Sequence, residues 1–112
     1  MQTVVERYKN ITAMDKNEAI KLAEAYKGLV SEHFAVTDVI LYGSYSNGTQ
    51  REDSDIDIAV VVDEVTGNYF DTVPLLWKLR RQISNLIEPV LICRNNDISG
   101  FLDEVTQTGI RV

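Results

Sequence analysis

Cysteine is nearly missing from this 112-residue chain. Cys93 stands alone, so no disulfide can close within the chain, and neither a Cys-x-x-Cys redox pair nor a zinc knuckle can be drawn. Its solitude suits a reducing compartment, and without a neighbouring histidine it reads as a small buried hydrophobe. Histidine is equally scarce: His33 is the single copy, and the end of a first helix is where the dipole would favour its charge. No stretch approaches the run of about 18 apolar residues that a membrane span needs. Met1 to Ala13, with Glu6, Arg7, Lys9 and Asn10, lacks the apolar centre of a secretory leader, so a cytoplasmic protein is expected. Asn10-Ile11-Thr12 and Asn47-Gly48-Thr49 match the glycosylation tripeptide only by chance if the chain is not exported. Positive charge is also short, 11 Lys and Arg against 17 Asp and Glu for a net charge of -6. Such a field repels polyanions, which argues against coating DNA, RNA or an anionic membrane, and any nucleotide site must be built locally.

What is present is an ordinary globular balance, 45% hydrophobic and 25% charged, enough for one modest core. A single domain over 1–112 is expected, with 1–13 as an N-terminal extension. Ala19, Leu22, Ala23, Tyr26, Leu29 and Val30 recur at helical spacing after a capping pair, Asp15 and Glu18, which predicts a helix from Asp15 to about His33. Val36 to Tyr42 reads as a buried strand, Gly43 to Ser54 as a polar loop, and Asp55 to Val62 as a second strand. After a turn at Gly67 and Asn68, Leu75, Leu76, Leu79, Ile83, Leu86 and Ile87 predict a helix ending near Ile87, with Pro74 tolerable in its first turn. Trp77 belongs to that apolar stripe, while Lys78, Arg80 and Arg81 read as a solvated face. Glu88 to Cys93, with Pro89 near its start, reads as a third strand whose first residues lie at an edge, and Asp97 to Thr106 as a last short helix with Gly109 just beyond it. The order implies an α/β or α+β domain with a small mixed sheet flanked by helices.

Chemistry concentrates in Leu41-Tyr42-Gly43-Ser44-Tyr45-Ser46-Asn47-Gly48 and in Ser54-Asp55-Ile56-Asp57. Residues two apart on a strand share a face, so Asp55 and Asp57 aim their carboxylates at one place. Two such charges at about 4 Å repel by roughly 4 kcal/mol at an effective dielectric near 20, which calls for a cation or a shared proton. A hard divalent metal bound through oxygen fits. Gly43 permits close approach of a ligand to the backbone, and the Ser44 amide and hydroxyl can donate to phosphate. A third carboxylate would allow two metals, one at the attacking oxygen and one at the pyrophosphate leaving group. Glu88 is the best placed, since a carboxylate within Ile87-Glu88-Pro89-Val90-Leu91-Ile92 needs a metal or cationic partner; a salt bridge to Arg80 or Arg81 is the plainer use for it. Asp53, Asp55, Asp57 and Glu64 also match the spacing of an EF-hand loop, but Ile58 occupies the position that requires glycine.

Gly43-Ser44, ten residues, then Asp55-x-Asp57 resembles the GS-x10-D-x-D signature of the minimal nucleotidyltransferases in the DNA polymerase β-like superfamily. The resemblance is strongest from Val39 to Val62 and extends by element order to about Ile92. It implies a nucleotidyltransferase palm with Asp55, Asp57 and Glu88 as catalytic metal ligands, and Gly43 and Ser44 on the triphosphate. It also implies magnesium and transfer of a nucleotide, AMP from ATP, onto an acceptor hydroxyl. Relatives often carry Lys or Arg where this chain has Asn47, so phosphate charge falls to Arg51 or to Lys78, Arg80 or Arg81. The third carboxylate is Glu88 instead of the more usual Asp. Minimal nucleotidyltransferases are frequently paired with HEPN-domain proteins in toxin–antitoxin modules, which implies such a partner, or else a homodimer, to present the acceptor. A non-catalytic nucleotide- and partner-binding module and a small-molecule nucleotidyltransferase are the alternatives. Asp57 and Glu88 both remain candidates for the general base.

Overall fold

The computed structural model describes residues 15–50, 54–65 and 69–112. Asp15 caps the first helix, α1 (Lys16–Ser31), through its Oδ1, which accepts the Glu18 N–H at 2.8 Å. The buried stripe is Ala19, Ala23, Tyr26 and Val30; the two alanines let the helix axis approach the sheet closely. Three seven-residue strands follow, β1 (Val36–Tyr42), β2 (Ile56–Val62) and β3 (Ile87–Cys93), with a two-residue β4 (Ile110–Arg111). The sheet order is β3-β2-β1-β4. β1 runs antiparallel to β2 and β4, whereas β2 and β3 are parallel and joined through α3 (Tyr69–Leu79). A mixed sheet flanked by helices is therefore what the chain builds.

Both sheet faces are covered, which explains the unbroken apolar run in β2. Val39, Leu41, Ile56, Ile58, Val60 and Ile87 pack against α1 and α3. Ile40, Ala59, Val61 and Ile92 face the other way, against Val105, Phe101 and Leu102 of α4 (Phe101–Thr108). Tyr26 ties α1 to α3 by donating its hydroxyl to the Leu76 carbonyl at 2.7 Å, and burial pushes its phenol well up. No helix among the described residues is long and apolar enough to cross a membrane.

Several expectations shift. The α3 helix stops at Leu79, continues as a 3-10 turn over Arg80–Gln82, and does not reach Ile87. The apolar spacing of Leu86 and Ile87 serves a turn and a strand: Ile56 N–H bonds the Leu86 carbonyl at 2.8 Å, and Ile87 opens β3. Pro74 lies inside α3 beyond its first turn, on an exposed side. Trp77 is 38% exposed instead of belonging to the core. The last helix begins at Phe101, four residues late, because Asp97 is spent on the loop, accepting the Leu102 N–H at 2.9 Å. Asp55 lies just outside β2. His33 falls in the turn after α1, and Cys93 is half-buried, its thiol donating to the Asp63 carbonyl. Residues 1–13, Gly67 and Asn68 lie outside the described residues.

Candidate active site

β1 ends at Tyr42 and the chain turns sharply through Gly43, whose φ of 74° and ψ of -146° suit only glycine. A single helical turn follows, α2 (Ser44–Asn47), closed by Ser46 and Asn47 N–H bonds to the Gly43 carbonyl, both 3.1 Å. Gly48, left-handed at φ 75°, ends it, and buried Tyr45 pins it to the core. The first N–H groups of such a turn have no partner inside it and stay available to an acceptor.

The tightest feature is the contact between Gly43 and Asp57. A Cβ on Gly43 would strike the Asp57 carboxylate oxygen and stand 3.2 Å from its Cγ. Absence of a side chain at 43 is thus what makes room for the carboxylate of 57. The Gly-Ser turn and the second aspartate, 14 positions apart in sequence, are one unit in space.

Register then extends this unit across the sheet. Asp57 is paired with Tyr42 on β1 and with Glu88 on β3, so Tyr42, Asp57 and Glu88 form a row on one face, with exposed Asp55 just beyond the strand. Partial burial raises the Asp57 carboxyl above the usual range, and the Asp55 charge adds to this. Burial does the same for Glu88, reinforced by the charge of Asp55, a hydrogen bond with Asp55 and the charge of Asp57, and opposed by Arg80. Tyr42 is pushed up to about 12 by burial and then by Asp57 and Glu88, so its hydroxyl keeps its proton. Its ring meets Phe101 edge-on at 5.6 Å. Tyr42 was invisible as a site residue in sequence; its signal was its place as the last strand residue before Gly43.

The fold therefore brings Gly43, Ser44, Asp55, Asp57 and Glu88 to one end of the sheet. Arg51 and Asp53 lie outside the described residues. Of the basic residues on and after α3, Lys78 and Arg81 are exposed, whereas Arg80 is half-buried over the Trp77 ring, 4.6 Å from its centroid. Its Nη1 donates to the carbonyls of Asn85 at 2.8 Å and Ile87 at 2.9 Å, which fixes the start of β3. No ion pair joins it to Glu88 among the described residues, although its charge is felt there. The carboxylates fit a divalent cation by donor type: all oxygen, mutually repelling, and cradled at Gly43. Among the described residues no three such side chains converge on one point. Ile56 to Val62 is a strand, which disposes of the EF-hand spacing.

Residues 24–112 match the family described as "Polymerase beta, Nucleotidyltransferase". Over 48 residues the chain is 38% identical to MJ1379 of Methanocaldococcus jannaschii, provisionally named a protein adenylyltransferase; the match covers 43% of this chain and 48% of that protein. The aligned part thus spans about half the length of this curated relative. A crystal structure of a provisionally assigned nucleotidyltransferase from Sulfolobus solfataricus superposes with a TM-score of 0.61 at 21% identity, covering 86% of this chain and 80% of that one. A structure described as a toxin–antitoxin with AMP-PNP superposes with a TM-score of 0.51 at 27% identity, covering 88% and 72%. With its Gly-Ser turn packed on a strand-borne aspartate and its family match spanning most of its length, the chain belongs to the Polymerase beta nucleotidyltransferase family.

Proposed function

We propose that the protein is a magnesium-dependent nucleotidyltransferase that moves AMP from ATP onto a hydroxyl of a partner protein. The observation that carries this is the packing of Gly43 against Asp57, with Glu88 in register beside it. It makes one pocket of a phosphate-approach turn and a row of carboxylates. Asp55, Asp57 and Glu88 are the residues to hold metal, and Gly43 with Ser44 the residues to meet the triphosphate. Bound there, divalent metal supplies charge neutralisation for the phosphates and the leaving group. The acceptor oxygen forms a bond to the α-phosphorus as the bridging bond to the β-phosphate breaks. Pyrophosphate leaves, and the acceptor's proton passes to a carboxylate of the row, Asp57 or Glu88.

A protein acceptor is favoured by the name of the M. jannaschii relative and by the likeness to a toxin–antitoxin structure with a nucleotide analogue. A HEPN-type partner is the specific form of that proposal. A second possibility is a nucleotide- and partner-binding module of the same fold without transfer.

The experiment is incubation of the purified protein with magnesium, α-labelled ATP and host lysate, beside Asp57→Asn. Label in a protein fraction, lost in the variant, is the expected result. AMP-PNP binding without label transfer would refute the transferase and leave the binding module.

A further inference from the structure

A groove of about 740 Å³ runs along β3 from Val90, two residues beyond Glu88, and is lined by Val90 to Cys93, Asp97 and Phe101 among others. Four consecutive residues of a strand point alternately to opposite faces. That all four line one groove places it at the outer edge of β3, where the backbone itself is within reach. Among the described residues β3 is one of the two edge strands of the sheet. In the parallel ladder with β2, set by Ile56 N–H on the Leu86 carbonyl, the even residues from 88 to 92 bond inward. The N–H and C=O groups of the odd residues therefore point away from β2.

Two features limit which of these are usable. The Ile87 carbonyl is already taken by Arg80, and Pro89 has no N–H to offer. The available edge thus starts at the Pro89 carbonyl and runs through Leu91 to Cys93. An occupant that satisfies a strand edge is an extended polypeptide, which adds as a further strand about 4.8 Å away. Its side chains would continue the row Tyr42, Asp57, Glu88 by one position. Because pairing stops short of Glu88, the residue arriving opposite it would be free of the ladder and able to turn its side chain toward the site.

Charge selects the occupant further. Glu88, two residues before lining Val90 and in register with Asp57, leads from the groove to the carboxylate row, Asp97 lines it, and Asp63 and Glu64 precede lining Val65. Among the described residues the nearby cations are Arg94, held by Asp38 at 2.9 Å and Asp63 at 3.5 Å, and Arg80, held on the Asn85 and Ile87 carbonyls. The apolar demand comes from Val90, 37% exposed on the floor, and from Ile98, 93% exposed on the bordering loop. We propose that the edge of β3 docks a basic, extended polypeptide segment of the partner by strand addition, delivering its hydroxyl residue opposite Glu88. This rests on the transferase reading: the delivered oxygen bonds to the α-phosphorus, pyrophosphate departs, and the proton goes to the carboxylate row.

The test uses decapeptide pools with a fixed central Tyr or Ser and all other positions randomised, incubated with the full chain, magnesium and α-labelled ATP. Labelled peptides should be enriched in Lys or Arg with apolar β-branched residues between them. For the best peptide, Val90→Lys should raise KM about tenfold with AMP-PNP affinity unchanged. Its binding should slow amide exchange at Leu91 and Cys93, while the Val90 and Ile92 amides, already bonded to β2, stay as they were. Labelling with no charge bias, label only on the chain itself, or unchanged Leu91 and Cys93 amides in the presence of a labelled peptide would each overturn the docking. So would unlabelled pools from a preparation that modifies lysate protein. Loss of AMP-PNP binding altogether, or full activity in Asp57→Asn, would instead overturn the transferase.

Discussion

Replacing Gly43 by alanine should be the most informative small change in this protein. Two separate costs arise. The backbone at φ 74° and ψ -146° is close to a region populated almost only by glycine, and forcing a Cβ there costs about 1–3 kcal/mol. The new methyl also lands on the Asp57 carboxylate, which is half-buried between Tyr42 and Glu88, so relief requires the carboxylate or the turn to move, at about 1–3 kcal/mol more. A loss of at least about 2 kcal/mol is expected in urea unfolding, or roughly 8 °C in Tm. A double-mutant cycle separates the parts. In Asp57→Ala the obstructing carboxylate is gone, so Gly43→Ala should retain the backbone cost alone, leaving a coupling of about 1–3 kcal/mol. Equal losses in the two backgrounds would show that Gly43 is kept for its dihedral angles and not for Asp57, and a loss below about 1 kcal/mol would remove both reasons.

Other substitutions probe the charge row and the packing that aims it. Asp57 has a raised carboxyl, so the unfolded chain ionises first as pH climbs, and the folded state loses stability from the ordinary carboxylate range up through the raised one. Without divalent cations, Asp57→Asn should therefore unfold at higher urea than the wild type at neutral pH, with the difference closing at acid pH; a constant difference across pH would contradict this. Tyr26→Phe deletes the buried bond to the Leu76 carbonyl and should cost about 1 kcal/mol by urea titration, with nucleotide binding preserved. Gly109→Ala would set a Cβ 2.6 Å from Ile40 Cγ2 and from the Val105 carbonyl, so it should lower Tm and expose the Ile110 and Arg111 amides to exchange; an unchanged Tm would refute it.

Legibility in the sequence followed the range of the interactions. β1 matched at both ends because Val36 to Tyr42 is a buried β-branched run bounded by a glycine, a signal complete within its own residues. Asp55 and Asp57 were readable because a two-residue spacing on a strand fixes a shared face. Glu88 was singled out as a carboxylate within an apolar strand, and only the β2–β3 register puts it beside Asp57. Leu86 and Ile87 misled because helical spacing also arises when a turn hands a chain into a strand, and what ends α3 there is Arg80 bonding carbonyls five and seven residues on. Trp77 looked like core, but it lies under the Arg80 guanidinium with one side in water. β4 is two residues long and has no period to detect; only its pairing with Ile40 and Leu41 defines it.

That short β4 has a consequence for how this molecule can assemble. It covers β1 at Ile40 and Leu41, and the Val112 N–H bonds the Val39 carbonyl at 2.9 Å while Lys27 holds the Val112 carbonyl at 2.8 Å. A sheet open on both sides can template neighbours without limit, the geometry of a growing fibril. Here the other edge is β4, two residues long and therefore a poor template, while the β3 side, among the described residues, is bare. A second copy would meet one long edge at β3 and one blunted edge at β4, an asymmetry that disfavours edge-to-edge growth into a filament.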